Sequence, residues 1–376
     1  MATRAVDGPA WVPLIRHPDQ PSRPQVPLIG VLPGEGIGPE VVDAALECLR
    51  DLQRAGGQTV GIEVGGSIGK AAERENGTPL PAGVVRFCED VLARGGAILS
   101  GAGGGRYVYE LRRRLGLFIK VSPIESRLGL PEASPLRPEL LEGVDMLMVR
   151  ENLGGIYQGS SRAATVDGEA FVEHRFSYRE SEVRQLVSAA ARLAAVRRGR
   201  LTIVIKQAGT PGLAQLWQAV ARDVCRDQDL EVSFVDVDLM AYRVVKNPQA
   251  FDVVAAPNLF GDVLGDLAAV LVGGRALSFG ASYDRRGAAV YQTNHGAAHD
   301  IAGSRRANPI GQILALAATL RESLDLGREA WALEEGVRRA LSDGDTTDDL
   351  GGGLSTEQVA ACVGAAAAEA FRTAVA

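Results

Sequence analysis

LTIVIKQAGTPGLAQLWQAVARDV, residues 201–224, decides the fold. The run LTIVI (201–205) is continuously apolar or β-branched, so it reads as a strand with no wet face. Glycine and proline then break the run. From Leu213 onward, Leu213, Leu216, Trp217, Val220 and Val224 recur at helical spacing. A strand delivering directly into a helix is the repeating unit of a parallel sheet covered on both faces.

The same alternation continues in both directions. Short apolar runs occur at 26–32, 96–100, 145–149, 232–237 and 251–255, with helical patterns at 41–53 and 181–196. The expected class is therefore α/β. ATVDGEAFVEHRFSY (164–178) alternates instead, as an antiparallel ribbon or arm would. Helices are expected near 308–323, 328–342 and 355–373, and the proline-rich PEASPLRPE (131–139) reads as a linker.

A chain of 376 residues exceeds most single cores, so two domains or one large α/β unit are expected. A net charge of −6 speaks against a nucleic-acid partner and against an anionic membrane surface. Cys48, Cys88, Cys225 and Cys362 are far apart and form no CxxC pair, which suits reduced thiols in the cytoplasm. Residues 1–27 carry several prolines and no signal-like apolar core, and are read as a flexible lead-in. No stretch approaches the roughly 20 apolar residues of a membrane helix.

Several motifs fail on spacing. GEGIG (34–38) does not fit the GxGxxG fingerprint, although a glycine turn before Pro39 would leave backbone N–H groups free for a phosphate or nicotinamide-end ligand. GGSIGKA (65–71) lacks the first glycine of a P-loop and the hydroxyl after Lys70. His295 and His299 are four apart, but Gly296 and the lack of a third ligand argue against zinc.

Others persist. In NLFGDVLGDLAA (258–269), Asp262 and Asp266 project from one helical face. Two carboxylates without sulfur or imidazole suit Mg²⁺ or Mn²⁺; they would equally soothe a helix dipole. Within NHGAAHDIAGSRRANP (294–309), Asp300 is placed either to accept ribose hydroxyls or to cap a helix. LRRRLGLFIKVSP (111–123) sets three arginines before a strand carrying Lys120 and Ser122, a concentration of cations that asks for an anion.

LPGEGIGPE, LRRRLGLF, VRENLGGIYQG, NLFGDVLGDLA, HGAAHDIAG, ANP and DLGGGLSTE occur in one order and spacing. From about Leu28 to its end the chain resembles the β-decarboxylating dehydrogenases: isopropylmalate, homoisocitrate and isocitrate dehydrogenases. The resemblance implies an isopropylmalate dehydrogenase-like two-domain α/β fold, not a Rossmann one, with mixed sheets flanked by helices and a β arm at a homodimer interface. It implies a large cofactor-binding domain from 28–124 and 278–376, and a small domain, 125–277, holding the dimer interface and metal site. It also implies active sites shared between subunits, and oxidation of a malate-like 2-hydroxy acid followed by loss of its 3-carboxylate as CO₂.

Carried over by motif, the metal aspartates are Asp262 and Asp266, with Asp238 supplied by the other chain. The proton-handling pair is Tyr157 and Lys206, the lysine again from the other chain and expected to have a depressed pKa. Arg112 and Arg150 are the substrate arginines. The cofactor site takes Ile37, His295, Gly296, Asp300 and Asn308, and a carboxylate at Asp300 favours NAD because it repels a 2′-phosphate; Arg305 and Arg306 lie nearby.

The chain departs from its relatives where substrate is gripped. Their strand ends in arginine before proline; here Ser122 stands there, and Lys120 precedes it on the same strand face. A lysine does not reproduce a planar guanidinium fork, and an uncompensated loss weakens binding by roughly 1.5–3 kcal/mol. Gln207-Ala208-Gly209 and Gln292 replace the family's Ala-Asn and Glu. Gly105-Arg106-Tyr107-Val108-Tyr109, where relatives recognise the C3 substituent, is polar and aromatic, so Val108 and Tyr109 join the expected substrate residues. The expectation is a 3-substituted malate of non-standard head group or substituent, in specialised metabolism. The alternatives are dehydrogenation without decarboxylation and a non-catalytic regulatory paralogue.

Overall fold

The computed structural model describes residues 10–20, 26–126 and 134–374. Twelve strands are assigned there: β1 Leu28–Leu32, β2 Gly61–Val64, β3 Ala97–Ser100, β4 Ile119–Glu125, β5 Asp145–Glu151, β6 Ser160–Val166, β7 Glu169–Arg175, β8 Arg200–Ile205, β9 Glu231–Asp236, β10 Val253–Ala256, β11 Phe279–Tyr283 and β12 Ala289–Thr293. Ten form one mixed sheet in the order β2-β1-β3-β12-β11-β4-β5-β10-β8-β9, and β6 and β7 pair as a separate antiparallel ribbon.

The opening stretch behaves as its pattern requires. β8 runs parallel between β10 and β9, and Leu201, Ile203 and Val204 are wholly buried. Antiparallel pairing enters at β4 against β5 and at β11 against its two neighbours. The sheet is thus continuous through both expected domains, with β4 and β5 forming the seam between them.

Helices cover both faces, as a sheet buried on both sides demands. In chain order they are α1 Trp11–Ile15, α2 Gly38–Arg54, α3 Gly69–Asn76, α4 Ala82–Ala93, α5 Arg106–Arg114, α6 Pro138–Leu141, α7 Glu180–Ala195, α8 Pro211–Val224, α9 Val237–Lys246, α10 Asn258–Ala268, α11 Ile310–Ala318, α12 Gly327–Asp343 and α13 Thr356–Thr373. α11 continues through a π turn at 319–323, and its apolar, alanine-rich sequence is buried on every side. No described helix is long and apolar enough to cross a membrane.

The lead-in corrects one expectation. Residues 10–20 are not a loose tether: α1 buries Trp11 and Ile15, and Arg192 of α7 donates to the Leu14 carbonyl at 2.6 Å. The His17 N–H donates to the Arg285 carbonyl at 2.9 Å, on the β11–β12 turn. The prolines suggest a flexible lead-in, but burying Trp11 and Ile15 contributes roughly 1.5–3 kcal/mol each toward ordering this segment. Of the expected linker, 131–133 lie outside the described residues; the remainder turns into α6.

Candidate active site

The sheet register builds the floor of the site. Ser282 pairs with Lys120, and Lys120 with Arg150, so these three side chains form a row on one face. A second row on that face runs Ser100, Gln292, Gly280, Ser122 and Met148. The opposite face carries Leu99, Tyr291, Val121 and Val149, all buried in the core. Above the polar face stand α10, bearing Asp262 and Asp266, and α5, bearing Arg112.

The resulting cleft is lined by Lys120, Ser122, Met148, Arg150, Gly261, Asp262, Gly265, Asp266 and Asn294. Arg150 is buried and donates through Nε and Nη2 to Asn258 Oδ1, at 3.0 and 2.8 Å, and through Nη1 to Asp262. Asn258 is itself fixed by donating to the Gly154 carbonyl. Asp266 pairs with Arg275 at 3.2 Å; burial raises its pKa and the Asp262 charge adds to the effect.

Among the described residues two cations beside the cleft have no ion-pair partner. Arg112 is buried, its Nε meets no acceptor, and burial with the Arg150 charge lowers its pKa to about 10. Lys120 is also buried, and no described residue pairs with it. Burial, then the charges of Arg112 and Arg150, holds its pKa well below the usual lysine range. Buried charges this close are tolerated where an anion completes them. Of the three consecutive arginines only Arg112 points inward; Arg113 is exposed and Arg114 pairs with Glu110.

Tyr157 stands at the rim. Burial, followed by the nearby Asp262 charge, raises its pKa to about 12. Its ring lies 5.1 Å from that of Tyr109, and Arg150 stacks 5.5 Å above it. Arg112 approaches Tyr109 to 5.4 Å, and Val108 borders the neighbouring pocket.

Lys206 and Asp238 do not join this group. They pair with each other at 2.9 Å, with Asp236 at 3.6 Å, beside an apolar groove lined by Ile156, Phe176, Leu213, Trp217 and Phe260. Asp238 raises the lysine pKa, contrary to the depressed value expected from neighbouring cations. Among the described residues no three acidic, histidine or cysteine side chains converge closely enough to hold a metal ion.

The 295–300 loop packs on the 34–38 turn. Ile37 N–H donates to the Ala297 carbonyl at 2.8 Å, and Glu35 N–H to the Ala102 carbonyl. These amides are therefore occupied by backbone, which corrects the expectation that the turn leaves them free for a ligand. Gly36 permits the contact, because a Cβ there would lie 1.9 Å from the Ala297 oxygen. His295 Nε2 is buried without a partner, Asp300 is exposed, and Asn308 caps α11 while donating to Asp349 at 3.1 Å.

Five contributors escaped the sequence reading. Gly261 and Gly265 precede the two aspartates; glycine inside a helix costs about 1 kcal/mol, a usable signal of close approach at Gly261, where a Cβ would lie 2.8 Å from Arg150 Cβ, while one at Gly265 would meet nothing. Asn258 and Asn294 carried none. Nor did Glu35, whose buried carboxylate accepts from Lys70 N–H, Gly104 N–H and the Tyr107 hydroxyl, so that Tyr107 is anchored away from the cleft.

The cleft thus sets a cationic sheet face against two helix-borne carboxylates. Isocitrate/isopropylmalate dehydrogenase is the family whose model matches residues 28–363, and the chain belongs to it. The 3-isopropylmalate dehydrogenase of Heyndrickxia coagulans is 37% identical over 336 residues, 86% of this chain and 90% of that one. That of Carboxydothermus hydrogenoformans is 38% identical, covering 85% and 88%. A crystal structure of isocitrate dehydrogenase from Methylococcus capsulatus superposes with a TM-score of 0.79 at 31% identity, over 92% of this chain and 99% of that one.

Proposed function

We propose that the chain catalyses the NAD-dependent, Mg²⁺- or Mn²⁺-dependent oxidation of a 3-substituted malate and releases its 3-carboxylate as CO₂. The observation that carries this reading is that Lys120 and Arg150 line one cleft opposite Asp262 and Asp266, with Arg112 in the adjoining pocket near enough for its charge to act on Lys120. Three cations match a dicarboxylate, and Ser122 in place of a guanidinium argues for a substrate other than the common ones.

The donor set fits the metal: Asp262 and Asp266 offer only carboxylate oxygens to the cleft, and Asp238 of the partner subunit would complete the group. A divalent ion there would stabilise negative charge developing on the 2-oxygen. The orphaned His295 Nε2 and the exposed Asp300 fit the adenosine end of NAD, with Ile37, Gly296 and Asn308 beside it, and NAD would accept the C2 hydride.

The chain's own groups do the rest. Arg112 and Arg150 hold the carboxylates, and Lys120 takes the place of the missing third arginine. Tyr157, held protonated well above neutrality, is suited to deliver a proton to C3 after CO₂ departs. The partner subunit's Lys206 would accept the alcohol proton, and Asp238 must release it to do so. Exposed Phe171 and Val172 on the β6–β7 arm, with the apolar groove beside Lys206, support a homodimer.

The test is to follow NADH and CO₂ together across a panel of 3-substituted malates with Mg²⁺. Both products in equal amounts are expected, and neither with Asp262→Asn. NADH without CO₂ would establish plain dehydrogenation; neither product with any malate would establish the regulatory reading.

A further inference from the structure

Arg150 is buried, yet two of its three side-chain contacts are to a group without charge. Nε and Nη2 donate to Asn258 Oδ1 at 3.0 and 2.8 Å, while Nη1 donates to Asp262. Asn258 is wholly enclosed at the first residue of α10. Its carboxamide has one workable orientation. Nδ2 donates to the Gly154 carbonyl at 2.8 Å, and turning the amide over would set N–H against the guanidinium and oxygen against that carbonyl. The backbone N–H of Asn258, a helix-start donor with no acceptor inside α10, donates to the Tyr178 hydroxyl at 3.0 Å.

The Gly154 end of this network leads to Tyr157. Gly154 is gripped twice, its N–H by Glu151 Oε1 at 2.8 Å and its carbonyl by Asn258. Gly155 follows with a φ of +71°, and a Cβ there would lie 2.1 Å from the Tyr178 hydroxyl and 3.2 Å from Asn258 Cβ. Glycine is what lets the loop seat on both residues. The 3₁₀ turn Ile156–Gln158, which carries Tyr157, comes next. One buried carboxamide therefore joins Arg150 to the loop that bears Tyr157.

We infer that Asn258 is the positioning residue of the site, and that the site requires it to be neutral. The inference rests on the reading of Arg150 as a substrate-binding group and Tyr157 as a proton donor, and deepens it. Arg197, by contrast, is held by two carboxylates, Asp145 at 2.7 Å and Asp252 at 2.8 Å, which cancel its charge. Asp262 already sets one negative charge against Arg150. A second at position 258 would leave the group net negative and repel an anion. A neutral oxygen fixes the guanidinium plane and leaves its charge for the ligand.

The experiment compares Asn258→Asp and Asn258→Ala with the wild type. Calorimetry gives dissociation constants for malate with Mg²⁺, and steady-state kinetics give kcat on the best substrate of the malate panel. Aspartate conserves shape and alanine does not, so a merely structural role makes alanine the more damaging. The expected order for binding is the reverse: malate about tenfold or more weaker in Asn258→Asp than in the wild type, and weaker than in Asn258→Ala. Neither a carboxylate nor a methyl group donates to the Gly154 carbonyl, so kcat should fall about tenfold or more in both, with unchanged circular dichroism. Alanine binding malate more weakly than aspartate, or wild-type kcat in Asn258→Ala, overturns the inference and leaves the reaction class intact. Malate that binds in the expected order without turnover of any panel member overturns the reaction class and keeps the hold on Arg150. Malate that fails to bind the wild type overturns both.

Discussion

Arg150 and Gly261 fit each other: a Cβ added to Gly261 would stand 2.8 Å from the Arg150 Cβ, so the arginine occupies space the helix leaves vacant. From that position it reaches both Asn258 and Asp262. Gly261→Ala should push the guanidinium off these partners. Loss of one charge-assisted contact is worth roughly 1.5–3 kcal/mol, or a fall of about ten- to hundredfold in kcat/KM. Steady-state kinetics check this, with unchanged circular dichroism showing that the fold survives. An alanine variant with full activity would mean that Arg150 does not hold substrate.

Glu151 follows Arg150 and is fully enclosed, its Oε1 accepting the N–H groups of Leu153 and Gly154 at 2.6 and 2.8 Å. Burial raises its pKa to about 7 from an ordinary 4.5. Between those values the folded chain keeps a proton that the unfolded chain releases. Stability is therefore greatest below pH 4.5 for this group and declines as pH rises through 7. Glu151→Gln keeps the acceptor oxygen and removes the titration. It should stabilise the protein at pH 8 by on the order of 3 kcal/mol and leave pH 4.5 nearly unchanged. Denaturant midpoints at the two values decide it.

Asp262 and Asp266 share one cleft, and their mutual repulsion is only partly relieved by Arg150 and Arg275. A divalent cation should relieve the remainder. At a hundred times its dissociation constant, Mg²⁺ should add about 2.7 kcal/mol, raising Tm by about 3 °C. Asp266→Asn should abolish the shift, as should excess chelator. An equal shift in that variant would place the ion elsewhere.

Trp11 and Ile15 are 3% and 1% exposed although they precede the family-matched region. Removing residues 1–20 should cost about 2–5 kcal/mol by the burial of two large apolar side chains. Trp11→Ala alone should account for most of that loss. Chemical unfolding of the three proteins measures it, and identical midpoints would show that α1 does not dock in solution.

Much of this was legible in the sequence because periodicity reports burial. The run 201–205 could only be a strand enclosed on both faces, and residues 213–224 only a helix with one apolar side. The arm at 164–178 announced itself by alternation, and β6 and β7 lie there. Asp262, Asp266, Arg112 and Arg150 were expected from motif order, and the structure sets all four around the polar face of the sheet. What escaped depends on register: nothing local says that Gln292 sits beside Gly280 and Gly280 beside Ser122, since those pairings join residues far apart in the chain. The docking of α1 escaped for the same reason, its partners being α7 and the β11–β12 turn.

Lys120 and Arg150 face each other across the β4–β5 seam, one from the strand that closes the first half of the sheet and one from the strand that opens the second. Any dianion they share is therefore a rivet through the joint. Ligand occupancy and the mechanical stiffness of the whole sheet should rise and fall together.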